Sequence, residues 1–362
     1  MDAAARKPDR ASLGAAVTAL AFCAAVPAAP QEAAPRPDPA KVRGAEACRE
    51  CHVSEYEVWR RTPHATGFKT LHRKAAAEAI AQRLGLRLIK RHSPCLGCHY
   101  TPTLRDGEER ALSGVSCESC HGAARDWIDV HNDYGAGNDH RSEPPEHRAS
   151  RIAGSRAAGM RRASQDLYAL ASSCFGCHTV PDERLVNAGG HGTGSADFEL
   201  VAWSQGEVRH NFLHSFLTGD GSANAERPPA FQRRLYVLGR ALDLEHSLRG
   251  MAAASERGTY ASAMGRRVRL ARNELRAIGR RAELPEIEAM LAAVRGVEVE
   301  PGNRGPLLAA AAEVGRAAQR FLAARDGGRL AALDPLLHGE VDGTAFADAD
   351  GGPASPPAAA PE

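Results

Sequence analysis

The chain has 362 residues, 25 % of them charged, and a formal net charge of +2. So even a balance argues against a nucleic-acid binder and against a strongly acidic partner, while the length allows two domains. Aromatic residues make up only 5 %, and leucine, isoleucine and valine are in modest supply before residue 220, so the first half lacks the apolar mass that a core of its size requires.

Arg6, Lys7 and Arg10 form a basic start. Residues 11–26 are uncharged and rich in alanine, and Val26, Pro27 and Ala28 offer small residues for cleavage. Residues 1–28 therefore read as an export signal, and the mature chain is expected in the periplasm. The alternatives are an uncleaved anchor or lipid attachment at Cys23, which the bulky Phe22 disfavours. Membrane association would come only through such an uncleaved or lipidated N-terminus. Residues 29–43, rich in proline and alanine, read as a linker.

At Cys48, Cys51 and His52 the chain enters a Cys-x-x-Cys-His pattern that recurs at Cys95, Cys98 and His99, at Cys117, Cys120 and His121, and at Cys174, Cys177 and His178. Eight of the nine cysteines are committed to it. Cysteines three apart lie on one side of a helical turn, where their sulfurs can bond the two vinyl groups of a porphyrin while the adjacent histidine reaches the iron. Paired zinc knuckles or a disulfide framework would use the same cysteines, but neither calls for a histidine after every second one. The expectation is four covalently bound haem c groups with His52, His99, His121 and His178 as proximal ligands. The porphyrins would also supply the missing apolar mass, and thioether bonds would protect the thiols of an exported chain.

Between the motifs, Ser54 to Glu57 resembles a capping box that opens a short helix closed by Pro63, with His64 placed just beyond it. A helix is predicted over 70–84, carrying His72 and ended by Gly85. His92 lies three residues before Cys95. No free histidine stands between the second and third motifs. His131 follows His121 by ten residues, and residues 132–150 read as a polar loop carrying His140 and His147. A helix over 165–172 leads to the fourth motif. Beyond it, glycines around His191 let the backbone approach a flat cofactor. Residues 198–203 form an apolar cover strip, and His210 and His214 share one helical face.

From Phe231, apolar residues recur at helical spacing, with Gly258, Pro285 and the pair Gly327 and Gly328 as breaks. An antiparallel helical bundle is expected over 230–338, and a disordered tail over 339–362. Residues 232–281 hold twelve arginines against four acidic residues, which solvated helix faces explain. The predicted fold is mainly α: a loop-rich tetrahaem cytochrome domain with little sheet over 44–219, then the bundle.

Around Cys48 to Ala65, Gly114 to Gly122 and Cys174 to Gly192, the sequence resembles the tetrahaem cytochrome c-554 family of multihaem c-type cytochromes. The resemblance implies that His64 ligates the haem of His121 and His131 that of His178. It leaves the second ligands at His52 and His99 unassigned. His191 is the candidate for His52, and the supply of histidines then leaves the iron at His99 with the weakest claim to a second ligand. The leading function is electron transfer between redox partner proteins or membrane electron-transport components, through closely packed, mostly bis-histidine haems. The alternative is an oxidoreductase acting on a small nitrogen or sulfur oxide at one open iron.

Overall fold

The computed structural model describes residues 1, 36–162, 165–194, 198–205 and 226–337. The signal, His210, His214 and the tail from 338 lie outside these residues. What is described is mainly helical, with one small sheet.

The first helices are short: α1 (Ala45–Arg49), α2 (Val53–Trp59), α3 (Pro63–Thr70) and α4 (Ala75–Arg83), the last two joined by a 3-10 turn at Leu71–Arg73. Pro63 opens a helix rather than closing one. Thr62 caps α3 by accepting from the Ala65 N–H at 3.4 Å, and proline fits the first helical position because its missing N–H would go unused there. His64 thus sits in the first turn of α3. The expected helix over 70–84 is broken: α3 ends at Thr70, Leu71–Arg73 form the 3-10 turn, and Lys74 is extended before α4 begins at Ala75.

α5 (Leu96–His99) leads into a hairpin of β1 (Thr101–Arg105) and β2 (Glu108–Ser113), paired antiparallel with Asp106 and Gly107 at positive φ in the turn. α6 (Cys117–His121) follows. α7 (Pro145–Ala157) takes up part of the segment expected as loop and includes His147, whose Nδ1 lies 2.8 Å from Glu143. α8 (Leu167–His178) then runs through the fourth motif to its histidine, and α9 (Glu183–Asn187) and α10 (Leu200–Gln205) are short.

The bundle is built from α11 (Pro229–Ala253), α12 (Thr259–Arg281), α13 (Pro285–Ala293) and α14 (Arg304–Ala324), followed by the short α15 (Asp334–Leu337). A five-residue turn between two long helices that pack along each other forces them antiparallel. Leu238, Leu242, Met264, Leu275, Val314 and Phe321 are fully buried between them. The apolar core continues without interruption into α8 through Ala171 and Phe175 and into the cover strip through Phe198 and Leu200. A buried ion pair, Arg267 to Asp243 at 2.6 Å, ties α12 to α11. α8 is bonded to α11 from Tyr168, whose hydroxyl donates to Glu245 at 2.5 Å, and from Ser172, 2.9 Å from His246 Nε2. Among the described residues no helix is long and apolar enough to cross a membrane.

Candidate haem-binding site

Each motif closes one tight turn. Cys48 O accepts from the N–H groups of Cys51 and His52, and Cys95 O accepts from that of His99. The third and fourth motifs lie on α6 and at the end of α8. No disulfide joins any of the eight motif cysteines.

Long-range contacts draw the motifs together in crossed pairs. Cys48 and Cys117 are within hydrogen-bonding reach, as are Cys98 and Cys177. The first motif therefore neighbours the third, and the second neighbours the fourth. Trp59 Nε1 donates to Val115 O at 2.7 Å, which holds α2 against the chain entering the third motif. At Gly114 a Cβ would stand 2.1 Å from His64 O, so only glycine lets that strand pass under α3. Glu118, inside the third motif and fully buried, accepts from the N–H groups of Arg43, Gly44 and Ala124 at 2.7–2.9 Å. This organising role was not read from the sequence. Its signal was a carboxylate enclosed between two motif cysteines, where a charge is costly unless bonded.

The histidines fall into pairs. His52 and His131 have ring centroids 6.3 Å apart, His64 and His178 6.3 Å, and His99 and His191 6.1 Å. Two of these partners differ from those the resemblance implies, since His64 lies by His178 instead of His121 and His131 by His52 instead of His178; His191, the sequence candidate for His52, lies by His99. His99, the ring that the histidine supply left short, has a neighbour. For His131 and His191 the cause is the crossed packing of the motifs, which carries each to the motif packed against its own, whereas His64, after the first motif, reaches the fourth. His131, just after the third motif, reaches the first; His191, just after the fourth, reaches the second. His121 has no such imidazole neighbour among the described residues, and its Nδ1 lies 3.0 Å from Arg161 O.

Burial pushes His64, His99, His121, His131 and His178 down, the last to about 4 with help from His64 and Arg267, so these rings are neutral near pH 7. His52 moves the other way because Glu55 faces it. His131 Nδ1 donates to Ile128 O and His191 Nδ1 to Gly192 O, which leaves each Nε2 with its lone pair outward. Phe198 stacks on His178 at 4.2 Å and Trp203 meets it edge-on at 5.4 Å, so the strip from 198 does cover a motif histidine. His72 lies in the 3-10 turn after α3, near Lys90 and Arg73, and belongs to none of the three ring pairs.

These donors fit a c-type haem. With metal–imidazole bonds of about 2 Å, two imidazoles on opposite sides of one iron have centroids roughly 6 to 6.5 Å apart, the spacing of all three pairs. Among the described residues no group of three or more His, Cys, Asp or Glu gathers to hold a bare metal ion.

Residues 47–122, which span the first three motifs and His64, match the family model for cytochrome c554 and c-prime. Over this stretch the chain is similar to the cytochrome c-554 family. Cytochrome c-554 of Nitrosomonas europaea is 30 % identical over 105 residues, covering 26 % of this chain and 44 % of the relative. The chain thus spans less than half the length of the curated relative it matches. The family match ends at Gly122, before His131, the fourth motif, His191 and the bundle. No solved structure matches the chain.

Proposed function

We propose that this protein is an exported four-haem c-type cytochrome that passes electrons between redox partners, in the periplasm if the N-terminal signal is cleaved. The observation that carries the proposal is the set of three histidine pairs at haem-spanning distance beside Cys-x-x-Cys-His motifs. Haem iron supplies the one-electron change. Cys48 and Cys51, Cys95 and Cys98, Cys117 and Cys120, and Cys174 and Cys177 anchor the groups. His52, His99, His121 and His178 would each supply one imidazole to the iron of their own motif's group.

His131 with His52, His64 with His178, and His191 with His99 would supply the second imidazole at three of the groups. At those three, two imidazoles would keep coordination constant between oxidation states and leave no position for a small molecule. Phe198 and Trp203 shield His178 from water. The first motif neighbours the third, the second the fourth, and the third the fourth where α6 packs on α8, so the four groups would lie close together, with α3 carrying His64 from the first motif to the fourth. The partners are redox proteins or membrane electron-transport components.

Intact mass after maturation with a haem-attachment system should show four haem additions. His64→Ala, His131→Ala and His191→Ala should each convert one haem from low to high spin in the electron paramagnetic resonance spectrum, whereas His72→Ala should convert none. Three or fewer haems under full haem supply would overturn the count, and an unchanged spectrum in any of the three variants would overturn that pair. A spectral shift on adding CO to the reduced wild type would turn the function towards the oxidoreductase alternative.

A further inference from the structure

Residues 90–92 lie antiparallel along β2: Ala111 N–H donates to Lys90 O at 3.0 Å, Arg91 bridges to Arg110, and His92 N–H reaches Glu109 O at 3.4 Å. This register sets Lys90 and Arg91 beside Arg105 and Arg110 of the hairpin. Phe68 of α3 forms the facing wall, and the cavity enclosed has a volume of about 350 Å³.

The groups around this cavity are cationic and short of acceptors. Lys90 Nζ stands 3.7 Å from the Phe68 ring centroid and 5.9 Å from that of Tyr100, and burial, with Arg73 nearby, holds the ammonium below its ordinary range. Among the described residues no carboxylate pairs with Lys90, Arg91 or Arg105. Arg110 gives Nη2 to Glu108 at 3.0 Å, with Asp106 at 3.9 Å, but its buried Nε has no acceptor. Behind Phe68, the Tyr100 hydroxyl is buried without a partner. Buried donors lacking an acceptor are rare and costly, and two of them beside one cationic cavity mark the place of a missing acceptor-rich group.

We propose that the cavity between residues 90–91, the hairpin and Phe68 binds a small oxyanion, held by Lys90, Arg105 and Arg110. An ammonium and two guanidinium groups suit an anion with several oxygens, and the volume suits one no larger than a phosphate with its water. Phe68 lies one helical turn beyond His64, and Tyr100 adjoins His99. Charge bound here is therefore separated from two histidines of different pairs by one aromatic layer. The oxygens could be those of a free inorganic oxyanion or of a haem propionate.

Two measurements on the haem-loaded protein separate these sources. Calorimetric titration with inorganic phosphate at low ionic strength should show one saturable site, weakened about tenfold in Lys90→Met, which keeps the packing over Phe68, and severalfold in Arg105→Gln, an exposed position. A crystal structure grown with phosphate should place either a phosphate or a propionate carboxylate against Lys90 Nζ. Calorimetric silence with a carboxylate there assigns the site to the haem. Water alone in the cavity, or phosphate affinity unchanged in Lys90→Met, overturns the proposal.

Discussion

The bundle and the motif region are held together in different ways. From α11 to α14 the buried side chains form one continuous apolar core. Between α1 and His131 the buried apolar residues are few and scattered: Trp59, Leu84, Leu96, Tyr100 and Trp127 are the large ones, and none joins that core. There the chain is tied by polar bonds at particular atoms, such as the three N–H groups on Glu118 and the cluster of Thr101, Ser116 and Ser119 hydroxyls at 2.8 Å. A bundle of this kind can fold on burial alone, whereas polar bonds exchange with water and add little net stability. The motif region thus depends on the mass that its cysteines would anchor.

The largest effect should come from withholding haem attachment. Amide exchange should then be fast throughout 45–131 and stay slow in α11, α12 and α14. Equal protection of both regions in that protein would break the contrast. Next in size, Leu242→Ala should destabilise the bundle by about 2–5 kcal/mol through the cavity it leaves, while Leu104→Ala, at an exposed hairpin position, should stay within about 0.5 kcal/mol. Chemical denaturation followed by circular dichroism measures both.

The smallest is a pH effect at the seam between the regions. Burial pushes His246, beside Ser172 of α8, down to about 3. The unfolded state protonates this ring at about 6.5 while the folded state resists, so stability present above that pH is lost as the pH falls towards the folded value. Between pH 6.5 and pH 5 the loss should be about 2 kcal/mol, and His246→Gln should remove that slope. An unaltered slope in the variant would place the titration elsewhere.

How much of this was legible in the sequence follows from the range of each interaction. The Cys-x-x-Cys-His turns, the mainly helical fold, the little sheet and the bundle helices are set by residues within one or two turns of each other, where backbone geometry leaves few choices. The membership of His64, His131 and His191 among the candidate ligands was readable for the same reason, since each stands at a helix end or a glycine-rich turn. Local capping was already less secure: Pro63 opens α3 because Thr62 precedes it, and the helix expected from residue 70 is interrupted.

Which histidine faces which was decided only by tertiary structure. The pairs join residues far apart in the chain, and they depend on Gly114 passing beneath His64, on Trp59 reaching Val115, and on Arg83 bonding Gly189 at 2.7 Å to set the turn of His191. Spacing along the sequence carries no information about such approaches. Long-range contacts alone bring one histidine ring beside each of three motif rings, at centroid distances of 6.1–6.3 Å.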